Sequence, residues 1–97
     1  VALRRRPSRL RRERAAAERV ARGRLAAEVT ALAGEIARLD GLARDGRAAE
    51  LVTGATERYA VARDLLVADG DLPTARGAAE TARDRLTEAA GLLGVAR

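Results

Sequence analysis

Three runs of apolar residues recur at alternating spacings of four and three, and this pattern restricts the possible folds more than any other feature of the chain. Such a spacing places the apolar residues on one side of an α-helix, where they form a seam that must be buried. The sequence therefore predicts three helices with one apolar face each. The seams are Leu25, Val29, Leu32, Ile36, Leu39 and Ala43; Ala48, Val52, Ala55, Tyr59, Ala62 and Leu66; and Ala75, Ala79, Ala82, Leu86, Ala89 and Leu93.

The first helix is predicted to be the longest of the three. Pro7 is suited to a first helical turn, or Ser8 caps a helix that starts just after it. Two Asp-Gly pairs, Asp40-Gly41 and Asp45-Gly46, lie on either side of Ala43, the last residue of the first seam. The glycine of either pair could adopt the left-handed conformation that ends a helix, so the sequence leaves the end of helix 1 open between them.

The second and third helices are separated by a clear break at residues 69–73, DGDLP. Helix 2 is predicted over about residues 47–69, with Gly70 ending it. Asp71 or Thr74 would cap helix 3. Gly94, just after the last seam residue, is predicted to end that helix.

The overall composition favours closely packed helices. The chain has 97 residues and one aromatic side chain, Tyr59, and its apolar residues are nearly all Ala, Leu and Val. Short connections between helices imply antiparallel neighbours. We therefore predict an all-α fold: a three-helix antiparallel bundle with coiled-coil-like packing and an extended basic N-terminal helix.

Charge divides the chain into two predicted parts, an N-terminal arm of residues 1–24 and a helical bundle of residues 25–97. The arm contains ten arginines and two glutamates, a formal charge of +8, whereas the bundle contains nine arginines and twelve acids, a charge of −3. All basic residues are arginine, a bias that a GC-rich genome also produces. The position of the charges is therefore more informative than the residue type.

The densest positive cluster lies near the start of the arm. Its mutual repulsion would be relieved by an anionic surface, either phospholipid headgroups or nucleic-acid phosphates. The alternative is a solvated tail without a dedicated partner. Val1-Ala2-Leu3 directly before the arginines is an order typical of the cytosolic end of a membrane span, which favours the membrane. The predicted binding residues are Arg4, Arg5, Arg6, Arg9, Arg11, Arg12 and Arg14.

Nucleic acid is the less favoured partner. The arm has no aromatic residue to stack on bases, and the chain has no Asn or Gln to read base edges. The arginines could still hold the phosphate backbone without sequence preference.

Enzyme chemistry is not indicated by any residue pattern. The chain has no Cys and no His, so thiol chemistry and the usual base near neutral pH are missing. Asp69, Asp71 and Glu80 do not have the spacing of an EF-hand, and helix capping explains the loop acids better. Tyr59 lies on a seam, which favours a core position over a proton donor. We therefore predict no catalytic residue, no metal and no cofactor.

A resemblance gives the arm a cellular context. The arginine block and long first helix are followed by Glu57-Arg58-Tyr59-Ala60-Val61-Ala62 and by Asp71-Leu72-Pro73 before a final Arg-, Ala- and Leu-rich helix. This order resembles the cytosolic helical tails that follow a membrane span in certain actinobacterial membrane proteins. The resemblance implies a location at the inner face of the cell membrane and implies no activity.

The functional expectation follows from the charge division. The chain is expected to be a non-catalytic structural or protein-interaction module, held at the cytosolic face of a membrane by its basic arm. A protein partner or self-association could use the remaining helical surface. The alternative is a small nucleic-acid-binding protein whose arm is a non-specific phosphate clamp.

Overall fold

The computed structural model describes the backbone of residues 2–96 and the side chains of residues 8–96. It contains three α-helices, α1 (Ala2–Leu42), α2 (Gly46–Val67) and α3 (Leu72–Leu93), and no strand within the described residues. Every pair of helices is in contact, and α2 and α3 share the most extensive interface. The predicted all-α, three-helix antiparallel bundle is confirmed.

The predicted apolar seams form the core. On α1, Leu39 is fully buried, and Leu25, Val29 and Leu32 are each at most 5% exposed. Ile36 is half-buried and packs against these residues. Toward its N-terminus α1 no longer contributes to the core. All described residues before Ala21 are exposed.

Alanine dominates the interface between α2 and α3. Ten of the seventeen buried residues in the described part of the chain are alanine, and most lie on these two helices. Small side chains let helix backbones approach closely. The interface is therefore stabilised by close packing of the two helices more than by burial of large apolar side chains. Leu86 on α3 and Val52 on α2 are the largest fully buried side chains of the pair.

The start of α1 differs from the prediction, whereas its end falls within the predicted stretch between the two Asp-Gly pairs. The helix begins at Ala2 and not near Pro7, so Pro7 lies inside it. Neither Asp-Gly pair ends the helix: Gly41 lies within α1, which ends at Leu42. Gly46 does adopt a positive φ of 74°, but it does so as the first residue of α2.

The end of α2 also differs, because Asp69 and not Gly70 is the left-handed residue. Asp69 has φ 55° and donates its N–H to the Leu66 carbonyl, while the Gly70 N–H reaches back to the Leu65 carbonyl at 2.7 Å. These two bonds form a Schellman motif. A Cβ at Gly70 would lie 2.9 Å from Leu65 Cδ2 and 3.2 Å from the Leu65 carbonyl oxygen, so a larger residue here would force the Leu65 side chain to move.

Both predicted ends of α3 are confirmed. Of the two candidate caps, Asp71 takes the role and accepts the Thr74 N–H at 2.9 Å, with Pro73 in the first turn. Gly94 follows the helix in the left-handed region at φ 68°. The short loop between α2 and α3 is thus closed by hydrogen bonds on both sides.

Gly54 on α2 makes room for a side chain of α3. Arg85 lies across it and donates from Nη1 to the Gly54 carbonyl at 3.1 Å. A Cβ at Gly54 would stand 3.0 Å from that nitrogen, which is a crowded contact. This arrangement explains a glycine in a helix interior, where glycine costs about 1 kcal/mol relative to alanine.

Leu86→Ala tests the importance of the seam on α3. Leu86 is fully buried, so we expect the substitution to lower the free energy of unfolding by about 2–5 kcal/mol through lost burial and a residual cavity. Leu92→Ala, on the same helix with 57% of the residue exposed, is the matched control and should change stability by less than about 0.5 kcal/mol. Urea unfolding followed by circular dichroism measures both, and equal losses would contradict the seam assignment.

Candidate functional site

The arm is a direct helical continuation of the bundle. At about 1.5 Å per residue, the 22 residues of α2 or α3 span roughly 33 Å, whereas the 41 residues of α1 span roughly 61 Å. The molecule is accordingly elongated, with a longest dimension of 65 Å. The part of α1 before Ala21 therefore projects beyond the other two helices with no helix beside it.

The arginines of the candidate site that have described side chains are all exposed. Arg9, Arg11, Arg12 and Arg14 lie on the projecting part of α1. Arg9 is 84% exposed and forms an ion pair with Glu13 at 3.6 Å. The side chains of three further predicted residues lie outside the described part, although their backbone belongs to α1: Arg4, Arg5 and Arg6.

These arginines surround the helix and do not form one stripe. With 3.6 residues per turn, Arg14, Arg11 and Arg12 follow Arg9 at roughly 140°, 200° and 300° around the axis. A surface-lying amphipathic helix needs an apolar face opposite a polar one. The arm lacks that division, so its attachment to any surface would be electrostatic.

The face that is apolar in the bundle becomes polar or charged in the arm. Continuing the spacing of the α1 seam backward from Leu25 leads to Arg22 and Glu18, then to Ala15, Arg11 and Ser8. A helix packed against this face would have to bury charged groups, which is costly without partners. This explains why α2 and α3 cover α1 only from about Arg22 onward.

Arg22 joins the arm to the bundle. Its Nη2 donates to the Gly70 carbonyl at 2.6 Å and to Glu18 Oε1 at 3.1 Å, and its Nε lies 3.3 Å from Asp69 Oδ1. The side chain is only 20% exposed, and Nη1 is buried with no hydrogen-bond partner among the described residues. The contact ties the base of the arm to the loop between α2 and α3.

The sequence did not predict this junction. Arg22 and Gly70 are 48 positions apart, and one arginine among many carries no local signal for so distant a partner. Arg22 also belongs to the predicted arm of residues 1–24, although it contacts the loop of the bundle. The division at residue 24 stays a prediction.

The acids of the loop are engaged in local interactions. Asp71 accepts hydrogen bonds from both the N–H and the hydroxyl of Thr74, and these bonds, together with the charge of Arg22, hold the pKa of Asp71 below its ordinary value. Asp69 pairs with Arg22. Across the described side chains, no group of three acidic residues is arranged to hold a metal ion.

Tyr59 packs against the core from a half-buried position on the α2 seam. The guanidinium of Arg63 lies 5.6 Å from the centre of its ring, within the range of a cation–π interaction. The ring thus takes part in packing, as its seam position predicts.

Comparisons with protein families, with curated proteins and with solved structures found no match to this chain. Within residues 2–96, none of the three helices combines the length and the apolar character needed to cross a membrane.

Arg22→Ala tests the junction between arm and bundle. Loss of the charged hydrogen bond to the Gly70 carbonyl should lower the free energy of unfolding by about 1–2 kcal/mol, less than for a fully buried group. Arg24→Ala, an exposed position on the same helix, removes the same charge and serves as the control, with a change below about 0.5 kcal/mol. Urea unfolding compares the variants, and equal effects would show that Arg22 acts only through its charge.

Asp71→Asn tests the pH dependence of the helix cap. Because the folded-state pKa of Asp71 is lowered, its ionised form stabilises the fold above the ordinary pKa near 4, and this stabilisation is lost as pH falls through the lower folded-state value. The Asn variant keeps a cap but does not titrate. Wild type should therefore melt at a higher temperature than the variant at pH 7, and the difference should shrink as pH falls below the ordinary pKa of the carboxyl group. A difference that does not change with pH would contradict this role.

Proposed function

We propose that the protein is a non-catalytic structural or protein-interaction module held at the cytosolic face of a membrane by its basic arm. The observation that carries the proposal is the exposed cluster of Arg9, Arg11, Arg12 and Arg14 on the part of α1 that projects beyond the bundle. The formal charge of +8 on residues 1–24, against −3 on residues 25–97, concentrates the attraction for anions in that projection.

Electrostatic attraction of this kind is large enough for attachment. A basic residue near an anionic leaflet contributes about 1 kcal/mol, so several arginines together give substantial binding without any apolar insertion. Because arginines lie on all sides of the helix, the attraction does not depend on which side of the helix faces the membrane. The arm therefore suits a charged surface that it approaches end-on or side-on.

The bundle would be carried at the base of the arm, away from the membrane surface. Because α1 is continuous from Ala2 to Leu42, the arm and the bundle share one helix. The junction of Arg22 with Asp69 and Gly70 supports this arrangement by tying the loop between α2 and α3 to that helix. The exposed helical surface of the bundle is then available to a protein partner or to a second copy.

The resemblance to cytosolic tails of actinobacterial membrane proteins supports the same location. In such a tail, the basic residues come first after the membrane, and the helical domain follows them. The order of arm and bundle in this chain agrees with that arrangement.

A second candidate function is non-specific nucleic-acid binding through the arm. It is favoured by one specific observation: the arm is a basic helix, roughly 28 Å long from Ala2 to Val20, and its described side chains, from Ser8 onward, are exposed. The major groove of DNA is about 12 Å wide and admits an α-helix. Such binding would depend on phosphate contacts and would weaken steeply with salt.

The experiment compares two triple variants with the same loss of charge. The arm variant replaces Arg11, Arg12 and Arg14 by Gln, and the bundle variant replaces Arg44, Arg58 and Arg76, which are also exposed. Co-sedimentation with vesicles containing anionic lipid should show about 100-fold weaker binding for the arm variant at low salt. The bundle variant should change by less than about 3-fold, and equal losses in both variants would refute a role specific to the arm.

Competition with a DNA duplex separates the two candidate functions. For a membrane-directed arm, wild-type protein should stay on anionic vesicles when duplex is added at equal phosphate concentration. Transfer of the protein to the duplex would favour nucleic acid. In that case the slope of log affinity against log salt concentration should be smaller by about three for the arm variant than for wild type.

A further inference from the structure

Ser8 occupies a singular position in the arm. It is the only serine of the chain, and it is exposed on α1. Residues three and four positions away along a helix are its surface neighbours. At Ser8 all four of those positions are arginine: Arg4, Arg5, Arg11 and Arg12.

These four arginine positions define the chemistry around Ser8. A dianionic group on its hydroxyl would have arginine at all four neighbouring positions of the helix, and guanidinium groups form short, charge-assisted hydrogen bonds with phosphate oxygens. It would also relieve the repulsion between the arginines themselves. A phosphate at this position would therefore be stabilised by the helix that carries it.

The residues before Ser8 also distinguish it from the other hydroxyl groups. Arg5 and Arg6 precede Ser8 by three and two positions, whereas none of the six threonines has a basic residue three positions before it. Protein kinases select substrates in part by charge complementarity, and basic residues before the acceptor match an acidic substrate groove. The charge pattern singles out Ser8 among the serine and threonine residues.

We propose that Ser8 is a phosphorylation site for a protein serine kinase that selects basic residues before its acceptor, and that the phosphate weakens the attachment of the arm to an anionic surface. This inference rests on the proposed function and names its regulation.

The modification is an ordinary phosphoryl transfer from a magnesium-bound nucleoside triphosphate. The Ser8 Oγ attacks the γ-phosphorus, the bond from that phosphorus to the β–γ bridging oxygen breaks, and the nucleoside diphosphate leaves. The hydroxyl proton passes to the base of the kinase. Because Pro7 has no N–H to donate to the Leu3 carbonyl, extending the chain at this point breaks one hydrogen bond fewer than elsewhere in the helix.

The consequence for binding follows from the charge. A phosphoserine carries about −1.5 to −2 at neutral pH, so the arm would fall from +8 to about +6. The phosphate would also pair with neighbouring arginines that otherwise face lipid headgroups. At low salt, vesicle binding should weaken by about 10- to 30-fold.

The test uses the full chain, a purified kinase that requires arginine three positions before its acceptor, and Mg-ATP. Mass spectrometry should find one phosphate, located on Ser8, and none on the Ser8→Ala variant. The phosphorylated chain should then bind anionic vesicles about 10- to 30-fold more weakly than the unmodified chain, while the Ser8→Ala variant treated in the same way keeps its affinity. Absence of phosphate on Ser8, phosphate on the threonines instead, or unchanged vesicle affinity after modification would each overturn the inference.

A second readout separates this inference from the proposed function. In a ³¹P NMR titration, the phosphate should ionise with a pKa below its ordinary value near 6, and the Arg11→Gln/Arg12→Gln variant should return the pKa toward 6. An unshifted pKa would refute the pairing of the phosphate with the neighbouring arginines. Failure of the unmodified chain to bind vesicles would refute the proposed function and its regulation, whereas the assignment of Ser8 is decided by phosphate incorporation and this titration.

Discussion

The whole structure depends on where the apolar seam of α1 ends. From Leu25 to Ala43 this seam packs against α2 and α3, and it provides three of the five buried leucines in a core otherwise rich in alanine. One and two turns earlier, the same face presents Arg22 and Glu18. A bundle cannot continue over charged groups, because burying them without partners is costly. The change along one helix face therefore sets the length of the bundle and leaves the rest of α1 as an exposed arm.

Arg22 lies where the α1 face changes from apolar to charged residues, and it joins the arm to the bundle. A guanidinium has five N–H donors in a planar fork, which suits simultaneous contact with a carbonyl and two carboxylates. Here these partners are the Gly70 carbonyl, Glu18 and Asp69. The left-handed conformation of Asp69 closes α2 at the loop that receives Arg22. The end of α2 and the base of the arm are thus held together by the contacts of Arg22.

Much of the fold could be predicted from the sequence, since spacing alone identifies seam residues of which fourteen of eighteen are buried and the other four are partly buried against the core. Leu39, Ala55 and Leu86 are fully buried at predicted seam positions, and the Asp71 cap and the Gly94 stop follow from local chemistry. The positions of Pro7 and Gly70 were misleading because proline and glycine permit a helix end without requiring one. The Arg22 junction and the contact of Arg85 with Gly54 link distant positions, so no local pattern indicates them. For the candidate site, the sequence predicted the charge cluster, and the structure adds that Arg9, Arg11, Arg12 and Arg14 are exposed around a helix that projects from the bundle.

The central claim is that the arm contacts the anionic surface while α2 and α3 do not. Amide hydrogen exchange of the full chain, measured with and without anionic vesicles, tests this claim segment by segment. We expect slower exchange in residues 2–20 on vesicle binding and unchanged exchange in the core segments of α2 and α3. Slower exchange confined to α2 or α3, with the arm unaffected, would contradict the account and place the binding surface on the bundle.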